Sequence, residues 1–156
     1  MNSYANNIFW WLPPILASGS WITSAGEGRV AYIDRLDVAR VAATALTTDK
    51  ALGRVDIGGA EALSASDIVF IVKDVFDVST ALEQVSDEQR EASIVAAGLP
   101  VQIAKHLTSV DATARNGGFD SVNDLVERLT GTPPRSFRDF LLGNRKALLA
   151  AAKPQK

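Results

Sequence analysis

The feature that most constrains the fold of this chain is a repeated order, in which a short run of β-forming residues is followed by the start of a helix. These runs are RVAYI, RVDIGG and STALEQV. Helix starts follow them at Asp37, Ser64 and Ser86, each an N-capping residue type ahead of apolar residues at helical spacing. Strands that alternate with helices predict an α/β fold. Three short strands beside about six helices would leave strand edges unpaired, so we expect further sheet from outside these residues.

The most clearly marked helix begins at Ser64, where Asp67 stands at the position that completes a capping box. Similar starts are predicted at Ser86, Ser121 and Ser136. Helices are predicted to end at three glycines, Gly98, Gly117 and Gly131. The second half of the chain is therefore expected to be mainly helical.

Apolar residues at helical spacing predict which helix faces enter the core. The predicted stripes are Val38, Val41, Ala42, Ala45 and Leu46; Ile68, Ile71, Val72, Val75 and Phe76; Ile103, Leu107, Val110 and Ala114; and Phe137, Phe140, Leu141 and Leu148. Stripes of this kind indicate packing rather than a cofactor site.

The composition excludes several classes of function. The chain has 156 residues, 47% hydrophobic and 22% charged, which predicts one globular domain over residues 1–150 and a flexible tail over residues 151–156. A net charge of -2 with mixed signs gives no basic surface for nucleic acid or a membrane. The absence of cysteine excludes disulfides and thiolate chemistry, and a single histidine, His106, does not favour a metal site.

The apolar segment near the start of the chain, residues 8–17, does not resemble a membrane anchor. Pro13 and Pro14 interrupt it, and it is shorter than the roughly 20 residues that cross a bilayer. The first basic residue, Arg29, follows it, which does not fit a secretory signal, so a cytoplasmic location is expected. One helical face cannot bury both Trp10 and Trp11, so the segment is expected to pack against an apolar surface of this chain or of a partner.

Four motifs along essentially the full chain resemble the C-terminal half of the NmrA-like family of atypical short-chain dehydrogenases. They are GEGRVAYIDRLDVARVAATALT, GRVDIGGAEALSASDI, VAAGLP and LTGTPPRSFRDFL. The most specific pieces are TGTPPRSFRDF, residues 130–140, and GGAEALS, residues 58–64. The resemblance implies the C-terminal part of a Rossmann-like, NAD(P)-binding α/β fold. It also implies an oxidoreductase that uses NADP or NAD, with quinone reduction as the activity.

The segment YANNIFWW is similar to the part of this family in which an asparagine and an aromatic residue face the nicotinamide end of the cofactor. By this resemblance, Asn7 is placed beside the cofactor. The predicted substrate-binding residues are Asn7, Trp10, Trp11 and Tyr32, and no catalytic residue is assigned. A flat aromatic wall would suit a planar acceptor such as a quinone. The alternative is that both indoles belong to the core or to an interface.

The family's Rossmann half, with its glycine fingerprint, has no counterpart in this sequence. The segment GEGRVA fits the permissive pattern G-x-G-x-x-A, but that pattern holds a pyrophosphate only where it follows a strand and opens a helix. Here the β-type run RVAYI follows, so we expect a hairpin or loop. Binding of NAD(P) by this chain alone is therefore doubtful, and the expected partner is a separate Rossmann half or a second copy of the chain.

The sequence offers few other candidate catalytic or phosphate-binding groups. A Tyr-x-x-x-Lys pair is absent at both tyrosines, because the fourth residue on is Ile8 or Leu36. His106 is expected to be a partly buried structural residue rather than a general base. Asp34 and Asp37 could be paired carboxylates, although N-capping is the simpler interpretation. Arg135 in the TPPR motif could bind a phosphate, form a salt bridge or contact a neighbouring helix.

Three functional hypotheses therefore remain. The first is the substrate-binding half of an NAD(P)H-dependent oxidoreductase of the quinone-reductase type. The second is a non-enzymatic NAD(P)-sensing or protein-interaction module, and the third is an inactive truncated fragment. An upstream reading frame with a Rossmann fingerprint would favour the fragment.

Overall fold

The computed structural model describes residues 3–48 and 53–153, which form an α/β fold, as predicted. The strands in this part of the chain are β1 (Ser3–Tyr4), β2 (Ser20–Thr23), β3 (Arg29–Ile33), β4 (Ala62–Ser64) and β5 (Ala81–Gln84). The helices are α1 (Ile8–Ser18), α2 (Arg35–Thr47), α3 (Ala65–Phe76), α4 (Asp87–Ala96), α5 (Val101–Arg115), α6 (Leu125–Thr130) and α7 (Phe137–Ala151). A short 3-10 turn, Ala5–Asn7, joins β1 to α1.

The strands form two small sheets. In the first, β3 lies in the middle, with β1 parallel on one side and β4 antiparallel on the other. In the second, β2 and β5 pair in parallel, which brings Trp21 opposite Leu82. A two-residue β1 and a four-residue β2 are too short to show a strand pattern in the sequence, and neither was predicted.

The strand predicted at RVDIGG, residues 54–59, is wrong. Within residues 54–59 the structure has only an isolated bridge, from Gly59 to Val122. The polar backbone groups of this segment bond a side chain instead of a neighbouring strand: the Gly58 N–H donates to Asn123 Oδ1, and the Asn123 amide donates to the Asp56 carbonyl. The strand that precedes α3 is β4, a few residues later.

Helix α1 contains the two prolines of the apolar segment, Pro13 and Pro14. It buries Leu12 and Ile15 on one side, and Gly19 in the left-handed conformation ends it, with its N–H bonded to the Ile15 carbonyl. Among the described residues, no helix is both long and apolar enough to cross a membrane.

Three of the four helix starts predicted at a serine are correct. Ser64 accepts the N–H of Asp67, and Ser86 and Ser136 make the equivalent bonds to open α4 and α7. The start predicted at Ser121 is wrong, because Ser121 is exposed and α6 begins four residues later.

The N-cap of α2 is Asp34 rather than Asp37. The side chain of Asp34 accepts the N–H of Leu36, whereas Asp37 lies in the first turn, buried beside arginines. The predicted stripe of α2 is also partly wrong: Val41 is buried, but Ala42 is exposed and the side chain of Leu46 is 87% exposed. The part of this face that carries Ala42 and Leu46 is therefore not packed against apolar residues in the described part of the chain.

The main core lies between α1, α3 and α7. Its buried side chains come from these helices and from neighbouring β4, and they include Ile8, Leu12, Leu63, Ile68, Val72, Phe76, Phe137, Phe140, Leu141 and Leu148. The stripes predicted for α3 and α7 therefore enter the core. Each fully buried side chain of this size contributes roughly 1.5–3 kcal/mol to the stability of the fold.

Helices α4 and α5 form a hairpin outside that core. A small cluster of Ala25, Ala114 and Phe119 packs beneath α5. The stripe predicted for α5 is partly wrong, since Ile103 is exposed. The buried face instead includes Ala104 and Thr108, each one residue beyond a predicted position.

The chain end was predicted to become a flexible tail from residue 151. Helix α7 runs to Ala151, so the predicted boundary coincides with the last residue of this helix. Residues 154–156 of the predicted tail lie outside the described part of the chain.

Candidate functional site

The strands β2 and β3 place two aromatic side chains, Trp21 and Tyr32, in a narrow cleft beneath α3 and α5. The cleft has a volume of about 60 Å³. Its other walls are mostly apolar, and its polar groups come from Thr23 and Asp111. A cleft of this size has room for water molecules but not for a drug-sized ligand, whose pockets usually exceed about 300 Å³.

A stacked pair of indoles lies next to this cleft. The ring centroids of Trp11 on α1 and Trp21 on β2 lie 5.2 Å apart, and the angle between the two ring planes is 26°. Both side chains are half-buried and pack on the main core. Stacked aromatic rings held in this way form a rigid, flat surface.

Tyr32 lies deeper in the molecule, with its ring 4.8 Å from that of Phe137. Burial, and then the negative charge of Asp111, raise the pKa of the Tyr32 hydroxyl above its ordinary value. Both causes disfavour the phenolate. Tyr32 therefore remains a neutral hydroxyl, able to donate or accept a hydrogen bond, well above neutral pH.

Asp111 on α5 organises the polar side of the cleft. One carboxylate oxygen, Oδ2, accepts hydrogen bonds from Thr23 Oγ1 at 3.0 Å, the Ser24 N–H at 3.0 Å and Arg90 Nε at 3.2 Å. Arg90 and Asp111 form a salt bridge in which both side chains are less than one-fifth exposed. This network joins the end of β2 to both helices of the hairpin.

The sequence-predicted substrate residues do not all meet at one place. Tyr32 lines the cleft, and Trp11 adjoins it through Trp21. Trp10 points away, with 86% of its side chain exposed, and Asn7 is exposed in the turn before α1. The structure therefore separates these four residues into an inner pair and an outer pair.

Thr23 and Asp111 are not marked by any strong pattern in the sequence. Asp111 stands four residues after Leu107 and between two apolar positions, so it is a charge on the inner face of a predicted helix. A charge at such a position usually has a partner. That partner could not be identified from sequence spacing, because Thr23 is 88 residues away along the chain.

The buried carboxylates of Asp34 and Asp37 have structural partners. Asp37 accepts from Arg40 Nη2 at 2.6 Å and from the Arg135 N–H at 2.8 Å, and Asp34 accepts from Arg135 Nη1 at 3.3 Å. These contacts lie beside an open groove of about 360 Å³ that also includes Pro133. The structure thus supports the capping and salt-bridge interpretations of Asp34 and Arg135.

The two glycines of GEGRVA lie in the turn between β2 and β3, as predicted, and the last three residues of the segment begin β3. A Cβ atom on Gly28 would lie 2.5 Å from backbone atoms of Ala114 and Arg115, so this glycine allows α5 to approach the turn. No helix begins at the turn, and its residues do not fit a dinucleotide pyrophosphate. His106 is exposed, which corrects the expected partial burial.

Comparison with known proteins identifies relatives of about twice this length. No family model matches the chain. An uncharacterized oxidoreductase of Bacillus subtilis is 31% identical over 81% of this chain and 44% of its own length. The NAD(P)H azoreductase of Xenophilus azovorans is 26% identical over 95% of this chain and 52% of its own length. The chain thus spans about half the length of these curated relatives.

A solved structure shows the same fold. The NADPH-dependent quinone oxidoreductase of Escherichia coli, complexed with NADPH, superposes with a TM-score of 0.80 over 90% of this chain and 50% of its own, at 22% identity. Its likeness supports the Rossmann-like architecture implied by the motifs. These sequence relatives and the fold are consistent with the resemblance of the chain to the C-terminal half of the NmrA-like group of atypical short-chain dehydrogenases.

Proposed function

We propose that this chain is the substrate-side half of an NAD(P)H-dependent oxidoreductase that reduces a planar acceptor such as a quinone. The observation that carries the proposal is the stack of Trp11 on Trp21 beside the Tyr32 cleft. Flat aromatic surfaces favour planar ligands. The relationship to proteins named as an NAD(P)H azoreductase and a quinone oxidoreductase supports the same class of reaction.

The acceptor binds at the mouth of the cleft rather than inside it. The volume of about 60 Å³ leaves no room for a quinone ring system within the chain. One face of the acceptor would lie against the indole stack, and a second surface would have to cover the other face and exclude water. A second polypeptide region is therefore part of the proposed site.

A dinucleotide-binding half would supply that second surface. Within the described residues, β1 is an outer strand of its sheet and pairs only with β3, so its other edge could accept a further strand. The exposed apolar side chains of Leu36 and Leu46 on α2, and of Trp10 on α1, offer area for the same contact. A second copy of the chain is the alternative occupant of this surface.

Asn7 is proposed to contact the nicotinamide end of the cofactor. It follows the carboxyl end of β1, which is parallel to β3, and ligands of α/β folds bind beyond the carboxyl ends of parallel strands. The rest of the NAD(P) would be held by the dinucleotide-binding half, because the turn at Gly26 and Gly28 does not open a helix.

The role of the indole stack is tested by fluorescence quenching with 1,4-naphthoquinone. Trp11→Ala is expected to weaken quenching most, because it removes one ring of the stack. Trp10→Ala is the matched control, since it deletes the neighbouring but exposed indole. If Trp11→Ala lowers the melting temperature but leaves the quinone affinity unchanged, Trp11 is a core residue and its substrate role is wrong.

The role of the second half is tested by calorimetry with NADPH. The chain alone is expected to give no useful binding, because a few contacts near Asn7 do not offset the several kcal/mol lost on ordering a flexible dinucleotide. Adding the separate dinucleotide-binding half of a related reductase should restore binding and quinone reduction. Micromolar binding by the chain alone would contradict this division of roles.

The same experiment separates the remaining hypotheses. An exposed apolar surface that includes Trp10 and Leu46 would also serve an NAD(P)-sensing or protein-interaction module. Cofactor binding without quinone turnover in the reconstituted pair would favour that module. A failure of both binding and turnover would favour an inactive fragment.

A further inference from the structure

Asp111 lies partly buried beside the cleft, at the centre of a hydrogen-bond network. Its Oδ2 accepts three hydrogen bonds, from Thr23 Oγ1, the Ser24 N–H and Arg90 Nε. A carboxylate in this partly buried position, with 18% of its side chain exposed, is costly unless its oxygens are bonded. Two of the three donors to Oδ2 lie at the end of β2. Asp111 therefore fixes that strand end relative to α5.

The strand held in this way is the one that carries Trp21. Side chains two residues apart on a strand share a face, and both Trp21 and Thr23 line the cleft. The Thr23 side chain is 1% exposed and bonds Asp111 directly. A shift of Thr23 would move Trp21 and change its overlap with Trp11, whose position is set separately by α1.

The turn after β2 is held at further points. Gln84 Oε1 accepts the Gly26 N–H at 3.0 Å, and its amide donates to the Gly26 carbonyl at 3.2 Å. Arg115 donates to the Ser24 carbonyl while it pairs with Asp87. These bonds restrain the turn, and within it the Ala25 N–H donates to Thr23 Oγ1. The bond from Thr23 Oγ1 to Asp111 is the one that ties this side chain, on the face of β2 that carries Trp21, to α5.

We propose that Asp111 is a positioning residue of the aromatic site, which acts through Thr23 to set the stacking of Trp21 on Trp11. The acceptor itself does not contact Asp111 in this proposal. Its consequence for ligand binding rests on the proposed function, whereas its consequence for the indole stack does not.

The test compares Asp111→Ala and Asp111→Asn with the unaltered chain. Circular dichroism detects the exciton coupling of two stacked indoles without any ligand. Asp111→Ala is expected to lose this couplet, and its affinity for 1,4-naphthoquinone should fall about tenfold, as for the loss of a charge-assisted hydrogen bond. Asp111→Asn retains an acceptor oxygen, so it should keep part of the exciton couplet and part of the affinity for 1,4-naphthoquinone.

Asp124→Asn is the matched control, because it removes a carboxylate that pairs with Arg128 in an exposed position. It should change neither the couplet nor the affinity. An unchanged couplet in folded Asp111→Ala would overturn the proposal. If naphthoquinone does not bind the unaltered chain, the substrate part of the proposed function fails, while the couplet still decides the role of Asp111.

A second pair of variants covers the case in which Asp111→Ala does not fold. Thr23→Val keeps nearly the same shape but lacks the hydroxyl that donates to Asp111, and Thr23→Ser keeps the hydroxyl. The couplet should weaken in Thr23→Val and persist in Thr23→Ser. Equal couplets in these two variants would overturn the proposal.

Discussion

The main core and the α4–α5 hairpin are held in place by different kinds of interaction. Helices α1, α3 and α7 share one apolar cluster that contains fully buried side chains such as Leu12 and Leu141. The hairpin contributes none of the buried members of that cluster, and it is joined to β2 largely by Asp111, Arg115 and their partners. The contrast indicates a main core that is stabilised by apolar burial and a hairpin whose attachment to β2 depends on charged side chains.

This difference determines how each region should respond to change. Apolar burial is not directional, and it is insensitive to pH in the absence of titrating groups. Ion pairs and charge-assisted hydrogen bonds depend on geometry, protonation and salt. Three predictions test this difference, and they are ordered from the largest expected effect, in the main core, to the smallest, in the hairpin.

Leu141→Ala should have the largest effect, because it removes a fully buried side chain from the main core. We expect a loss of about 2–5 kcal/mol in the free energy of unfolding, measured by urea denaturation. The neighbouring Leu142 is 48% exposed, so Leu142→Ala is a matched control expected to change stability by less than about 1 kcal/mol. Similar losses for the two variants would contradict the assignment of this core face.

Gly28→Ala should have an intermediate effect that is concentrated in the hairpin. The new Cβ would meet the backbone of Ala114 at 2.5 Å, so α5 must move away from the turn. The expected cost is about 1–3 kcal/mol, as for other overpacked sites. Hydrogen exchange should become faster in α5 and stay unchanged in α7. Glu27 is exposed, so Glu27→Ala is the control. Equal exchange rates in α5 of both variants would show that the close approach of α5 to Gly28 does not stabilise the hairpin.

Acid should have the smallest effect, and it should loosen the hairpin first. Bonds from Arg115, and then one from Ser24, lower the pKa of the Asp87 carboxyl to about 2. A lowered folded-state pKa means that the stabilisation is fully present above the unfolded-state value of about 3.9 and is lost as the pH falls toward 2. Amide exchange in α4 should report this loss between those pH values, after correction for the intrinsic exchange rate. Asp87→Asn should abolish that part of the pH dependence, and an unaltered pH profile in this variant would contradict the prediction.

The fold was predictable where the residues that determine a helix or strand lie within that same element. The caps at Ser64, Ser86 and Ser136 each bond a backbone group within the same helix, so their sequence pattern is sufficient. The same pattern failed at Ser121, and a β-type run failed at residues 55–58, because contacts with distant parts of the chain prevailed over local preference.

The site was predictable only in part for the same reason. Tyr32 and Trp11 were predicted as substrate residues, and the structure places Tyr32 in the cleft and Trp11 beside it. The stacking of Trp11 on Trp21 depends on the angle between α1 and β2, which no sequence period encodes. The bond from Thr23 to Asp111 likewise joins segments that are far apart in the chain.

The two prolines of α1 affect the chemistry of the surface around the exposed indole. Because Pro13 and Pro14 have no N–H, the carbonyl oxygens of Phe9 and Trp10 cannot receive the usual helical hydrogen bond from four residues on. A carbonyl oxygen that loses its water without gaining a donor is costly. A partner that covered Trp10 would therefore have to bring hydrogen-bond donors, or keep bridging water, as well as an apolar surface. A partner with a purely apolar surface would leave these two carbonyl oxygens without hydrogen-bond donors.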